Sequence, residues 1–247
     1  MKSVIIIPAR FSSTRFPGKP LVPLLNKPMI IWVAELSAEA VSLDNVYVAT
    51  DDRRIAAVVS EFGFKYLMTS SEALTGTDRV AEVSSKVDAD LYINVQGDEP
   101  LVNPADICKV IEIKQRYMDC VINAYTVIGR DENPNSKNVP KVVVSRNDDL
   151  IYMSRCRVPG HKGKPTPNFE YKKQVCIYAF TADELKKFVN FGGKGLAEQA
   201  EDIEILRFLE MGTKVKMVSL NSASLAVDCP DDVPSVEKEL SQRVNGT

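Results

Sequence analysis

The segment "IIIPARFSSTRFPGKPLVPLLNKPMI", residues 5–30, begins as a strand and continues as a basic loop. The short aliphatic run at its start is rich in β-branched residues, which is typical of a strand buried on both faces of a parallel sheet. Three cations, Arg10, Arg15 and Lys19, follow directly after it within residues 10–19, and the next helical pattern begins at residue 28. The segment therefore predicts a strand–loop–helix unit whose loop faces something negatively charged.

The first half of the chain repeats this alternation of strand and helix. Strands are predicted at 3–9, 45–50 and 90–96, and helices between or after them at 28–40, 51–63 and 77–87. Alternation of this kind forms parallel βαβ units with right-handed crossovers. We therefore predict an α/β fold built on an open, mostly parallel, Rossmann-like sheet.

The second half of the chain is richer in strands. Strand patterns lie at 120–129, 140–146, 149–159, 174–180 and 214–220, and helical patterns near 181–190, 197–211 and from about 231. Neither internal repeats nor a linker separates these elements from the first half. We expect one domain over 1–247, with an inserted or trailing β-rich portion.

The composition argues against several classes of protein. The chain has 247 residues and a formal net charge of -2, so it lacks the basic excess typical of nucleic-acid binders. It shows neither a signal-peptide pattern nor an apolar run of membrane length. The odd number of cysteines, five, lacks metal-ligand spacing and predicts reduced thiols. A cytoplasmic protein that binds neither nucleic acid nor membrane is the expectation.

Three segments fall where a ligand crevice is expected, beyond the carboxyl ends of parallel strands. The basic loop is not a Walker A loop, because Pro20 follows Lys19 and the glycine spacing is absent. It could neutralise a polyphosphate, or it could be a solvated loop. The other two segments are "NVQGDEP" (94–100) and "LAVDCPDD" (225–232), in which Asp98 and Asp228 are candidate Mg²⁺ ligands. A plain turn would also explain the acids of the first segment, and capping of the last helix would explain Asp231 or Asp232 in the second.

A fourth segment, "TGTDRVAEV" (75–83), opens a predicted helix. Thr77 or Asp78 could cap that helix. Gly76 and Arg79 would alternatively suit a site that holds a nucleotide.

Taken together, five stretches resemble the CMP-Kdo synthetases, the 3-deoxy-manno-octulosonate cytidylyltransferases. They are "IIIPARFSSTRFPGKPLV", "YVATDD", "TGTDRVAEV", "NVQGDEPLV" and "VDCPDD", in the order and spacing of that family. The resemblance runs from about residue 3 to 240. It implies a nucleotidyltransferase-type α/β fold, a homodimer paired through the β-rich portion, and CTP, Mg²⁺ and an acidic sugar as ligands.

The resemblance also implies roles for individual residues. Those expected to bind the nucleotide are Pro8, Ala9, Arg10, Arg15, Lys19, Gly76, Asp78, Arg79 and Gln96. Those expected to act in catalysis are Arg10, Lys19, Asp98 and Asp228, of which the two aspartates would bind Mg²⁺. Those expected to bind the sugar are Gln96, Arg155, Arg157, Gln174, Tyr178, Glu201 and Glu204. Residues 1–118 and 212–247 would form the nucleotide-binding core, and 119–211 the sugar-binding and dimerisation portion.

Two residues depart from the family pattern. Gln174 stands where members commonly have a histidine, and Ile205 where they have a glutamine. Losing hydrogen-bonding groups changes which hydroxyls a buried site accepts. The hypothesis is therefore an activating cytidylyltransferase for cell-surface polysaccharide synthesis whose acceptor is a Kdo-like 3-deoxy-2-keto acid sugar, which these departures allow to be an acid other than Kdo itself. The alternatives are another acceptor, such as 8-amino-Kdo or sialic acid, and a nucleotide-binding paralogue without turnover. A Rossmann dehydrogenase is disfavoured because the glycine pattern is missing.

Overall fold

The computed structural model describes residues 1–13, 16–129, 132–164, 169–221 and 225–245. Within them, nine strands form one sheet and a short hairpin stands apart from it. The strands are β1 Ser3–Ala9, β2 Pro23–Leu24, β3 Lys27–Pro28, β4 Val46–Thr50, β5 Lys65–Met68, β6 Leu91–Val95, β7 Val121–Val127, β8 Lys141–Val144, β9 Leu150–Ser154, β10 Lys172–Phe180 and β11 Val215–Ser219. The hairpin is β2–β3.

Eight α-helices belong to the same described part of the chain. They are α1 Met29–Val41, α2 Arg53–Glu61, α3 Gly76–Ser84, α4 Pro104–Arg116, α5 Ala182–Asn190, α6 Leu196–Glu201, α7 Ile205–Glu210 and α8 Val233–Asn245. Short 3₁₀ turns cover Lys19–Leu21, Leu43–Asn45 and Pro230–Asp232. Side chains cap several helix starts, since Thr75, Asn103 and Thr181 each accept a backbone N–H of the first turn.

The sheet is mostly parallel, as the alternating sequence predicts. Its order is β11-β7-β10-β6-β1-β4-β5, and the β8–β9 hairpin attaches to β10. Strand β1 is parallel to β4 and β6, and β11 is parallel to β7. Strand β10 is the exception because it runs antiparallel between β6 and β7. It therefore joins the parallel half to the β-rich half within one sheet.

Strand β1 shows why an unbroken aliphatic run becomes the centre of the fold. Val4 and Ile6 point to one face of the sheet and pack in the core under α3 and α5. Ile5 and Ile7 point to the other face, which α1 and α4 cover. All four side chains are fully buried. Both faces of the strand therefore need apolar residues.

Two local predictions were wrong. The helix predicted over 197–211 is two helices, because Asp202 adopts a left-handed conformation (φ 50°) that ends α6. The cap of α3 is Thr75, two residues before Thr77 and three before Asp78, and its hydroxyl accepts the N–H of Asp78. Both corrections matter for the site, because α6, α7 and the start of α3 meet there.

Candidate active site

A cavity of about 860 Å³ opens at the carboxyl ends of β1 and β6 and extends along β10. One end is formed by Pro8, Ala9 and Arg10 at the carboxyl end of β1, by the loop after β6, and by the segment before α8. The other end is formed by β10 and the segment between α6 and α7. We call these the carboxylate end and the acceptor end.

Lys19 lies at the centre of the carboxylate end. Its Nζ is 2.6 Å from Oδ2 of Asp98 and 3.9 Å from Oδ1 of Asp228. The segments that carry the two acids are tied together, because the N–H of Val227 donates to the carbonyl of Asp98 at 3.0 Å. Two acids that are 130 residues apart in the chain thus both face the Lys19 ammonium.

The orientation of Asp228 is set by its neighbour Asp232. The Asp232 carboxylate accepts the backbone N–H groups of Asp228 and Cys229, each at 2.8 Å. Asp232 is thus the last residue of a capping box on the 3₁₀ turn Pro230–Asp232, whereas the sequence predicted that Asp231 or Asp232 caps the final helix, α8. Because Asp232 does the capping, the Asp228 carboxylate can face Lys19.

Close backbone packing shapes the wall between the two ends. A Cβ on Gly97 would lie 2.9 Å from the carbonyl oxygen of Pro8, and one on Gly76 would lie 2.8 Å from Nε2 of Gln96. Position 97 therefore requires glycine, because the atom it would meet belongs to the backbone, whereas a side chain at position 76 would have to displace the Gln96 amide. Arg15, which the resemblance assigns to the nucleotide, lies outside the described residues.

Two predicted nucleotide ligands are engaged with protein groups. Asp78 does not line the cavity, and its Oδ1 is 3.0 Å from the buried guanidinium of Arg207. Arg79 lines the cavity but is 4% exposed. Its guanidinium donates to Asp51 at 2.9 Å and to Thr69 at 2.7 Å. The structure thus gives these two side chains contacts that hold α3 in place, and a direct nucleotide role for them stays a prediction.

Hydrogen bonds from neutral groups fix the Glu204 carboxylate at the acceptor end. Oε2 accepts the N–H of Thr77 at 2.9 Å, and Oε1 accepts Nε2 of Gln96 at 3.1 Å. Burial raises the pKa of Glu204 above its ordinary value, because the charged form loses its hydration there. Gln174 and the buried Tyr178 complete this end, with Nε2 of Gln174 donating to the Tyr178 hydroxyl at 3.1 Å.

The remaining predicted sugar ligands divide into one that lines the cavity and two that do not. Arg155 lines it, and its guanidinium donates to the carbonyls of Lys137, Glu201 and Asp202. The Glu201 carboxylate lies behind it, where it accepts from Ser154 and from the backbone of Arg155. Arg157 lies with its guanidinium 5.8 Å from the ring centre of Tyr171. Of the three, Arg155 alone is placed where it could meet a sugar.

Of the two departures from the family pattern, only Gln174 is in the cavity. Ile205 is 1% exposed and packs in the core between the sheet and α5. The idea that Ile205 alters the acceptor by direct contact is therefore wrong for this structure, and Gln174 is the departure that can act on a ligand.

Several residues that the sequence did not single out support the site. Lys141 is fully buried, and its Nζ donates to the carbonyls of Ser136, Val139 and Arg155. Arg207 is also buried and binds Glu198 through two nitrogens, at 2.6 and 2.7 Å. The sequence pattern that could have identified these two residues is a charged residue inside an apolar run, "PKVVV" for Lys141 and "ILRFL" for Arg207. Such residues are almost never fully buried unless paired.

Two features are absent from the described part of the chain. There, no group of three or more histidine, cysteine, aspartate or glutamate side chains could hold a metal ion. An ion on Asp98 and Asp228 would therefore take its other ligands from substrate and water. Nor does that part of the chain include a helix with the length and apolarity needed to span a membrane.

Comparison with known proteins gives matches over nearly the full length. One relative is the 8-amino-3,8-dideoxy-manno-octulosonate cytidylyltransferase of Shewanella putrefaciens, and another is the 3-deoxy-manno-octulosonate cytidylyltransferase of Geobacter metallireducens. Each is 40% identical to this chain, and each match covers 98% of this chain and 99% of the relative. The structure of CMP:2-keto-3-deoxy-manno-octonic acid synthetase complexed with CTP is 36% identical, with a TM-score of 0.90 over 98% of this chain and 100% of that one. The family model described as cytidylyltransferase matches residues 4–216. The chain therefore belongs to the cytidylyltransferase family.

Proposed function

We propose that this enzyme transfers the CMP group of CTP to the anomeric hydroxyl of a Kdo-like 3-deoxy-2-keto acid sugar. The hydroxyl oxygen forms a bond to the α-phosphorus, the bond from that phosphorus to the bridging oxygen of pyrophosphate breaks, and the hydroxyl proton leaves to solvent. The observation that carries the proposal is the cavity itself, which joins a charged end suited to phosphates to a hydrogen-bonding end suited to a polyol. The CTP-bound relative and the two relatives named for Kdo-type acids support it.

The carboxylate end fits a divalent cation. A cation is already shared between the carboxylates of Asp98 and Asp228, since the Lys19 ammonium lies 2.6 and 3.9 Å from their oxygens. Mg²⁺ prefers such oxygen ligands and fills its remaining octahedral positions with phosphate oxygens and water. Bound there, it would supply Lewis acidity that lowers the pKa of the attacking hydroxyl.

The chain's own residues would do the positioning that this type of transfer needs. Lys19 has a flexible stem and can turn its ammonium from the carboxylates to the departing pyrophosphate. Arg10 lines the same end and adds a second cation for the triphosphate. At the other end, the fixed Glu204 would accept hydrogen bonds from the sugar, while Arg155 would attract its carboxylate.

The proposal also concerns which acid sugar is the acceptor. The relatives carry both the Kdo and the 8-amino-Kdo names at equal identity, so both acids are candidates. Gln174 in the cavity favours an acceptor other than Kdo, because an amide binds different groups from the histidine of the family pattern.

We also propose the assembly and location that the resemblance implies: a cytoplasmic homodimer serving lipopolysaccharide or capsule synthesis. Ile151 and Tyr152 on β9, 58% and 38% exposed, give the β-rich portion an apolar surface that a second copy could cover. The presence of both Asp98 and Asp228 disfavours a paralogue that binds nucleotide without turnover, because binding alone does not need two metal carboxylates.

Pyrophosphate release from CTP and Mg²⁺ tests the proposal with Kdo, 8-amino-Kdo and sialic acid offered separately. Fast release with a Kdo-type acid, dependent on both Mg²⁺ and the acid, is the expected result. CTP binding without release for any of the three acids would favour the non-catalytic alternative. Release with sialic acid alone would place the enzyme on a different acceptor class.

A further inference from the structure

A bulge interrupts strand β10 where it borders the cavity. The register against β7 shifts between Val175 and Tyr178, so carbonyls in this stretch lose their regular partners. Nδ2 of Asn123, on β7, donates to two of them, the carbonyls of Val175 at 3.1 Å and of Ile177 at 2.9 Å. Asn123 is fully buried. Its amide is therefore fixed in one orientation, because a flip would set its oxygen against two carbonyl oxygens.

The fixed orientation of Asn123 determines that of Gln174. Oδ1 of Asn123 faces Gln174 and accepts from Nε2 at 3.0 Å. The second Nε2 hydrogen is taken by the Tyr178 hydroxyl at 3.1 Å. Both N–H groups of the Gln174 amide are thus bonded to the protein. Only its oxygen, Oε1, is left for a ligand, and a carbonyl oxygen can only accept.

We propose that Asn123 is a positioning residue for acceptor specificity, which holds Gln174 so that it offers the acid sugar a hydrogen-bond acceptor and no donor. The group recognised there is then a hydroxyl or ammonium of the sugar, and not a carbonyl or carboxylate. This inference rests on the proposed function and names the chemistry of its acceptor end. A histidine at position 174 could donate or accept, whereas this amide is held to one polarity.

The decisive experiment measures kcat/KM for Kdo and 8-amino-Kdo with Gln174→Met, which keeps the length of the side chain and removes both polar atoms. The sugar group that pairs with Gln174 would be buried without a partner in this variant, and such a loss lowers binding by about 5- to 100-fold. We therefore expect kcat/KM for the acid sugars to fall by that factor. KM for CTP should stay unchanged, because Gln174 is at the other end of the cavity. If Oε1 meets the group on carbon 8, the ratio between the two acids changes as well.

The role of Asn123 is tested by Asn123→Ala, by the double variant with Gln174→Met, and by Ile122→Val. Ile122 is a buried neighbour on the same strand that points to the other face, so its truncation controls for lost stability. We expect Asn123→Ala to lower kcat/KM for the acids as Gln174→Met does, and the double variant to be no worse than Gln174→Met alone. Ile122→Val should leave kcat/KM for both acids unchanged.

Two results would overturn the proposal: Gln174→Met within twofold of wild type for both acids, or Asn123→Ala indistinguishable from Ile122→Val. Failure of the proposed function would be seen differently, as absent pyrophosphate release from the wild-type protein with either acid. That result would overturn the inference together with the function on which it depends.

Discussion

The two ends of the cavity are built in opposite ways. At the carboxylate end the interacting groups are charged and partly exposed, with the Asp98 and Asp228 side chains at 30% and 35% exposure and one lysine shared between them. At the acceptor end Asn123 and Tyr178 are buried, and neutral hydrogen bonds fix Gln174 and Glu204. From the contrast we predict that the carboxylate end exchanges its partners during turnover and that the acceptor end is rigid beforehand.

This difference follows from what each ligand brings. A triphosphate carries charge that cations and a metal can match, and the partly exposed pair of Lys19 and Asp98 costs less to separate than a fully buried pair. A sugar is distinguished by the positions of its hydroxyls, and recognition of these requires donors and acceptors that do not move. Preorganisation is therefore expected at the acceptor end.

The largest expected effect is at the carboxylate end. Asp98→Asn removes a proposed metal ligand, and kcat should fall by about 10³-fold or more, since charge stabilisation dominates this kind of transfer. Pyrophosphate release at saturating CTP and acid sugar measures it. Asp231→Asn is the matched control: Asp231 is an exposed acid three residues from Asp228 that lies outside the cavity. Equal activity in the two variants would remove Asp98 from the mechanism.

Two buried cations, Arg207 and Lys114, allow effects on stability to be separated from effects on function. Arg207 binds Glu198 and Asp78 beside the acceptor end, and Lys114 binds Glu184 far from it. Arg207→Met and Lys114→Met should each lower the free energy of unfolding by about 3–5 kcal/mol, because each leaves buried carboxylates unpaired. Urea unfolding measures that loss.

The kinetics of these two variants should differ. Arg207 and Glu204 both tie α7 to the start of α3, so Arg207→Met should also raise KM for the acid sugar. Lys114→Met should leave that KM near the wild-type value at temperatures where both proteins are folded. A similar rise in KM for both variants would mean that general loss of stability, and not this contact, affects the site.

A smaller effect is expected at Ile205. Ile205→Gln restores the family's residue but buries an amide without a partner, which should cost about 1–3 kcal/mol of unfolding free energy. The ratio of kcat/KM for Kdo to that for 8-amino-Kdo should not change, because Ile205 does not reach the cavity. A shift in this ratio of tenfold or more would show that α7 rearranges when the sugar binds.

The mildest expected effect is a pH dependence centred on Glu204. Since burial raises its pKa above the ordinary 4.5, kcat/KM for the acid sugar should fall as the pH drops through this raised value and Glu204 takes up a proton. In the same window the folded protein holds that proton more tightly than the unfolded chain does. The contribution of Glu204 to stability is therefore fully present below the unfolded pKa and is lost as the pH rises through the folded pKa.

Glu204→Gln, which keeps the size of the side chain, provides the control for this pH dependence. Rate and unfolding measurements between pH 4 and 8 should both become flatter in this variant. If kcat/KM of Glu204→Gln still falls at low pH as it does in the wild-type enzyme, the group that titrates is not Glu204.

The sequence predicted the carboxylate end better than the acceptor end. Strands β1 and β6 are short β-branched runs, and side chains at the carboxyl ends of neighbouring parallel strands have to meet, so the proximity of Lys19 and Asp98 could be expected. The engagement of Asp78 by Arg207 could not, because the two residues lie far apart in sequence and on separate helices. The position of Ile205 depends on the break at Asp202, which shifts the face that α7 presents.

The bulge in β10 could not be predicted from the sequence for a similar reason. "QVCIYAF" has the continuous apolar run of an ordinary buried strand, and only the pairing with β7 shows that the register shifts between Val175 and Tyr178. In the sequence alone, nothing in "VINAY" (121–125) distinguishes Asn123 from any other polar residue in a strand. Its role depends on contacts across the sheet, which local propensity and periodicity do not contain.

The most direct test of the account is a crystal structure of the enzyme with CTP and Mn²⁺ in place of Mg²⁺, with the ion located by its anomalous scattering. We predict an ion bound by the carboxylates of Asp98 and Asp228 and by phosphate oxygens, with the Lys19 ammonium moved from Asp98 to the triphosphate. An ion that contacts neither aspartate, or CTP bound with its phosphates away from Lys19, would contradict the account.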